Sequence, residues 1–232
     1  FVYADYGDLE SVKRLVGPHT AAVLVEPVQG EGGVKPAPAG FLTSLRALCD
    51  EHGLLLLVDE IQSGMGRTGK PFAFQHDGIL PDAISTAKAL GNGFPIGAIV
   101  AREKVAGALG PGSHGSTYGG NPLGCAVANR AVELCTAPAM LEAVTRKGEH
   151  FQSRLRAVQE RHPGKIREVR GRGLLVGVEL TEDAAPALAR VRERGLIINL
   201  AGERTLRFAP AFTVTEAQLD EAAAIVEASL GG

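Results

Sequence analysis

Apolar residues gather in three short runs early in the chain, "TAAVLVEP", "LLLLVDE" and "AISTA". They are rich in Val, Ile and Leu and too continuous for a strand with one wet face. This pattern predicts strands buried on both faces, as in parallel sheets. Between the first two lies "APAGFLTSLRALCDEHG", whose apolar residues recur at helical spacing, with Pro38 near its start and Gly53 able to close its end. Strand, helix and strand make a βαβ unit. "IGAIVAR" reads as a fourth strand. From Asn121 to about Arg161 the pattern turns helical, opening with "NPLGCAVANRAVELC". Beyond it come "GLLVGVEL", a helical "APALARVRERG", "LIINL", "TLRFAP" and a final amphipathic "TEAQLDEAAAIVEASL", with Thr215 placed as its N-cap. The alternation predicts a large α/β domain with a mostly parallel sheet over residues 1–135, then a smaller α+β domain over residues 136–232.

At 232 residues the chain can bury a substantial core in one or two domains. Its formal net charge of -2 gives no reason to expect a nucleic acid or a membrane surface as partner. No apolar run approaches the ~20 residues of a membrane span, and no signal-peptide pattern opens the chain. Cys49, Cys125 and Cys135 form neither a CxxC pair nor a disulfide framework, so a cytoplasmic location is the simplest expectation. The opening "FVYADYGDLE" has no initiator methionine, which hints at a fragment or a processed product.

Three apolar runs end in an ionisable residue: Glu26, Asp59 and Lys88. Open parallel sheets bind ligands outside the carboxyl ends of their strands, so neighbouring strands would bring these side chains to one crevice. Any one of them alone reads as a strand surfacing into solvent; three together, with glycine-rich loops after them, favour a site. Asp59 and Glu60 are adjacent and point to opposite faces of a strand, which argues against a carboxylate pair in acid–base work. An isolated aspartate there suits holding a positive charge. Lys88 is flanked by Ala87 and Ala89, and desolvation would favour its neutral amine, a nucleophile able to form a Schiff base with a carbonyl. The ordinary alternative is a lysine whose stem packs on apolar surface. A lysine plus an acidic partner for a pyridinium nitrogen is what pyridoxal phosphate (PLP) requires.

"GMGRTG" fits G-x-G-x-x-G, yet five residues separate it from the strand, no helix start follows, and Pro71 stands where a P-loop needs a hydroxyl. Nucleotide binding is therefore not expected. Nor is a zinc site, because the six histidines show no metal spacing. "HGSTYGGNP" offers hydroxyls, amides and a helix start, a composition suited to a phosphate or to a plain capped turn.

Taken together, "EPVQGEGGVKPA", "LLLVDEIQSGMGRTGKPFAFQH", "PDAISTAKALGNGFPIGA", "GSTYGGNPLGCAVA", "REVRGRGLLVGVEL" and "LRFAP" resemble the class III, PLP-dependent aminotransferases of fold type I. The resemblance spans essentially the whole chain. "GMGRTGK" and "GSTYGGNPL" favour the acetylornithine branch over the 4-aminobutyrate one. The resemblance implies transfer of an amino group from N-acetylornithine, or a related ω-amine, to 2-oxoglutarate in arginine biosynthesis. By the same resemblance Lys88 would hold the cofactor as a Schiff base and shuttle the proton, and Asp59 would pair with the pyridinium nitrogen. Gln62 would contact the ring's phenolic oxygen, while Ser116 and Thr117 would bind the phosphate across the interface of a homodimer. Arg207 would clamp the substrate carboxylate, and Glu26 would pair with Arg207 when an ω-amino end enters.

Members of the family carry an upstream segment with a further phosphate loop, an aromatic residue on the ring and the first strands of the sheet. The expectation is accordingly a fragment with an uncovered strand edge, weak PLP binding and poor turnover. The competing expectations are another class III activity (ornithine, 4-aminobutyrate or succinyldiaminopimelate transamination) and a non-catalytic remnant.

Overall fold

A computed structural model describes residues 1–231. In chain order the first elements are α1 (Leu9–Leu15), β1 (Ala22–Val25), β2 (Val28–Gln29), β3 (Lys35–Pro36), α2 (Phe41–His52), β4 (Leu55–Asp59), β5 (Ala83–Thr86), β6 (Ala98–Ala101) and α3 (Glu103–Ala106). There follow α4 (Pro122–Cys135), α5 (Pro138–Arg161), β7 (Ile166–Arg172), β8 (Leu175–Leu180), α6 (Ala185–Glu193), β9 (Asn199–Ala201), β10 (Thr205–Phe208) and α7 (Glu216–Ser229). Two compact units result. One holds Phe1–Pro27, Ala37–Met65 and Lys70–Ala137; the other holds Val28–Pro36, Gly66–Gly69 and the stretch from Pro138 onward.

The first unit is built on a sheet ordered β1-β4-β5-β6, in which β1, β4 and β5 run parallel and β6 antiparallel to β5. Burial alternates along β4, so these strands are not enclosed on both faces as their composition predicts. The reason lies in what covers them. Both α1 and α2 pack on one face, where Leu42 and Leu45 meet Leu56, Val58 and Ile84. On the other face Leu57 and Ala83 are half-buried and Leu24 and Ile99 are exposed. Helix α2 ends where Gly53 adopts φ 67 and donates its N–H to Cys49 O, a left-handed cap open to glycine at little cost.

Asp82, just before β5, ties this unit together. Its carboxylate is fully buried and meets Arg46 of α2 at 2.7 Å, Lys104 of α3 at 2.6 Å and the Leu56 N–H of β4 at 2.8 Å.

The second unit pairs β7-β8-β10-β9 antiparallel throughout. Helices α5, α6 and α7 cover its core, with Phe151 edge-on to Phe208 at 5.2 Å between centroids. Thr215 caps α7 as its sequence predicts, in a reciprocal box with Gln218. The last four residues of "GMGRTG", Gly66–Gly69, find their use here as backbone packing. The Arg67 carbonyl accepts the Leu174 N–H at 3.0 Å, and its guanidinium bonds Leu174 O and Pro210 O and stacks on Phe212. Glycine at 148 lets α5 approach the turn at Gly173: an added Cβ would lie 2.2 Å from the Gly173 carbonyl oxygen. Gly148→Ala is therefore expected to destabilise the protein by about 1–3 kcal/mol, read as a lower urea midpoint with an unchanged slope.

Candidate active site

The strand order brings Glu26, Asp59 and Lys88 to one edge. Because β1, β4 and β5 are parallel neighbours, their carboxyl ends point the same way. Val25 pairs with Val58 in register, so Glu26 and Asp59 each follow that pair by one residue. Asp59 in turn pairs with Ser85, and Lys88 comes three residues later, after β5 has ended. Three strand ends thus carry two carboxylates and an amine along one rim.

The end of β4 runs into a tight turn that fixes Asp59. Its Oδ1 accepts the Ile61 N–H at 2.9 Å, and Oδ2 accepts from no donor among the described residues. Glu60 points the other way, as alternation requires. It is buried, and its carboxylate accepts from Ser63 Oγ at 2.5 Å and the Phe74 N–H at 2.8 Å. Burial pushes the Glu60 carboxyl above its ordinary value, against those hydrogen bonds. The Glu60 carbonyl accepts the Gly64 N–H at 3.0 Å, which closes the turn bearing Gln62. Glu60 therefore shapes the loop rather than joining Asp59 in acid–base work.

Lys88 departs from its expected surroundings. Its apolar neighbours suggest a desolvated amine, but the residue is exposed. It sits at φ 47, in the left-handed region, and opens a 3-10 turn in which Gly91 and Asn92 donate their N–H groups to its carbonyl at 3.0 and 3.1 Å. That turn lifts the side chain off the line of β5. No acceptor lies within hydrogen-bond reach of the ammonium among the described residues. A Cβ at Gly91 would lie 1.9 Å from the Phe94 carbonyl oxygen, so only glycine fits there. Gly91→Ala should distort the turn holding Lys88 and lower PLP affinity about tenfold in a titration, for a strain of about 1.4 kcal/mol.

Glu26 has its main chain pinned, since the Tyr6 hydroxyl donates to the Glu26 and Pro27 carbonyls at 2.9 and 3.2 Å. Ser116 and Thr117 lie in an exposed loop just before α4, whose N-cap Asn121 accepts the Gly124 N–H at 2.7 Å. No hydrogen bond joins either hydroxyl to the Lys88 turn. Arg207 belongs to the second unit, on β10. There its guanidinium, mostly buried, pairs with the exposed Glu31 carboxylate in the turn between β2 and β3. The resemblance names Glu26 for pairing with Arg207; Glu31 is a further carboxylate on that guanidinium, and its lone place in "QGEGG" is the sequence signal for it.

The donor set fits PLP. An aspartate with one oxygen anchored and the other open suits a protonated ring nitrogen, and an exposed amine on the adjacent strand end suits an aldehyde.

Comparison with known proteins identifies the family. The family described as "Aminotransferase class-III" matches residues 4–230. Acetylornithine aminotransferase of Myxococcus xanthus is 59% identical over 221 residues, covering 95% of this chain and 55% of that protein. Acetylornithine aminotransferase 1 of Bradyrhizobium diazoefficiens is 46% identical over 227 residues, 98% of this chain and 56% of that protein. Among solved structures, N-acetylornithine aminotransferase from Stenotrophomonas maltophilia superposes with TM-score 0.88 at 40% identity, over 99% of this chain and 61% of that one. Ornithine aminotransferase from Plasmodium yoelii gives TM-score 0.91 at 33% identity, over 97% and 61%. The chain spans about half the length of the curated relatives it matches.

Proposed function

The chain belongs to the class III aminotransferase family, and from that premise we propose that it serves PLP-dependent transfer of an amino group from N-acetylornithine to 2-oxoglutarate. The observation that carries this reading is the placement of Lys88 and Asp59 on the ends of adjacent parallel strands, each with a polar group that no neighbour engages among the described residues. Bound PLP would supply the electron sink for carbanion chemistry. The chain's own residues would do the rest. Lys88 would hold the cofactor's aldehyde carbon and then take and return the proton at the carbon bearing the amino group. Asp59, held by the Ile61 N–H, would keep the ring nitrogen protonated. Gln62 would contact the ring oxygen, and Ser116 and Thr117 the phosphate, from across a homodimer interface.

Arg207 would clamp a carboxylate with its planar fork. A glutamate must neutralise it when an uncharged or cationic group enters instead, and Glu31 is placed for that task, with Glu26 the candidate named by the resemblance. A cytoplasmic place in arginine biosynthesis would follow from the donor. The likeness to an ornithine aminotransferase supports a second reading, in which ornithine is the donor.

The test is direct. PLP added to the purified chain should raise a visible absorbance band that borohydride bleaches. Glutamate formation from 2-oxoglutarate is then compared among N-acetylornithine, ornithine and 4-aminobutyrate, with the first expected to be fastest. Absence of the band would sink the proposal.

A further inference from the structure

The turn that carries Glu31 has little to hold it locally. Strands β2 and β3 pair through only two residues each, Val28 with Pro36 and Gln29 with Lys35. An isolated ladder that short is not stable in water. The turn is also strained, because Val34, a β-branched residue, sits at φ 51. Something beyond the hairpin must fix it, and part of the answer is burial: Val28 and Val34 pack with Leu175 and Ala201.

A further hold is one guanidinium. Arg170 of β7, nearly buried, donates Nε to Gly33 O at 2.9 Å and to Val34 O at 3.1 Å, and Nη2 to Gly33 O at 2.6 Å. Nη2 also reaches Thr205 Oγ1 at 3.2 Å. Thr205 stands two residues from Arg207 on β10, so the two share a face of that strand. Behind the guanidinium, Glu179 and Glu168 accept from Nη1. Arg170 therefore bolts the strained turn beside Glu31 to the strand that carries Arg207. Nothing in this arrangement gives Arg170 access to a ligand.

We propose that Arg170 is a positioning residue for the Glu31–Arg207 pair, setting how firmly that pair is closed and hence how readily Arg207 accepts the carboxylate of an incoming dicarboxylate. The proposal rests on the reading of Arg207 as a carboxylate clamp. Its physical content is a competition. With the turn bolted down, Glu31 is held against Arg207 and a dicarboxylate must displace it. With the turn loosened, Glu31 spends less time there and the dicarboxylate binds more tightly.

Three variants of the full chain separate the links. Glu31→Gln removes the competing charge without touching the bolt. Arg170→Lys keeps a positive charge but cannot span two carbonyls and a hydroxyl. The double variant measures whether the two act together. Hydrogen exchange at the amides of residues 30–34 reads the turn, and calorimetry with 2-oxoglutarate reads the clamp. Arg170→Lys is expected to speed exchange about tenfold, as charge-assisted hydrogen bonds are lost. It should also tighten 2-oxoglutarate binding, in the direction of Glu31→Gln and by less. The double variant should bind no more tightly than Glu31→Gln alone. Should Arg170→Lys fail to fold, Glu179→Gln, which loosens the hold on the same guanidinium, is expected to move both readouts the same way.

If Glu31→Gln leaves 2-oxoglutarate binding unchanged, or the wild-type chain binds none, the clamp reading fails. The Arg170 proposal itself is overturned if exchange stays unchanged. It is overturned equally if Glu31→Gln tightens binding and Arg170→Lys loosens the turn without tightening, or if the two effects simply add.

Discussion

Replacing Lys88 with alanine is expected to erase the PLP-dependent visible band and to cut amino-group transfer by roughly four orders of magnitude or more. Two losses combine. The amine that binds the aldehyde disappears, and so does the group that moves the proton, a role worth about 10²–10⁴-fold where it has been removed elsewhere. The variant should fold normally, because Lys88 is exposed and its side chain makes no hydrogen bond among the described residues. An absorbance titration with borohydride, run beside a circular-dichroism melt, checks both statements. A variant that keeps the bleachable band would move the assignment to another lysine. Asp59→Asn should keep the band and lose most of the activity, since an amide holds no negative charge against the ring nitrogen.

The largest expected effect on stability belongs to Asp82. Asp82→Ala removes a fully buried carboxylate that receives Arg46, Lys104 and the Leu56 N–H. It leaves a buried N–H without an acceptor and a largely buried guanidinium with half its partners. A loss of about 3–5 kcal/mol follows from breaking such a cluster on one side. The same residue predicts an acid response. Burial opposes its charged form, but hydrogen bonds from Lys104, the Leu56 N–H and Arg46 outweigh that and hold the carboxyl at about 2, below the ordinary 3.8. A depressed folded value means the unfolded chain takes up the proton first. The contribution is therefore complete above about pH 5 and is lost as pH falls toward 2, to the extent of about 2 kcal/mol. Urea melts from pH 6 to pH 2.5 should show this limb in the wild type and a flatter one in Asp82→Asn. Parallel curves would refute it.

The parts legible in the sequence are those whose signal is local. The end of each apolar run marked the end of a strand, and glycine at 53 marked the end of α2, because burial and backbone geometry act on the residues that carry them. Strand β7 was not legible: four of its seven residues are charged, and a bulge between Ile166 and Glu168 breaks the two-residue period. The β2–β3 hairpin was equally hidden, since groups that hold it, Arg170 among them, lie more than a hundred residues later. The environment of Lys88 was misread because its neighbours in sequence are apolar, whereas the left-handed turn carries the side chain away from them. Glu31 escaped notice for a similar reason, its partner lying 176 residues away.

That long-distance bolt has a consequence for biosynthesis. Gly33 leaves the ribosome 137 residues ahead of Arg170, an interval of roughly 7–27 s at typical rates of translation. Throughout that time Val28 and Val34 have neither Leu175 nor Ala201 to pack against. A nascent chain stalled before β7 should therefore expose this sticky tip to chaperones and proteases, and lengthening the pause should lower the yield of native protein.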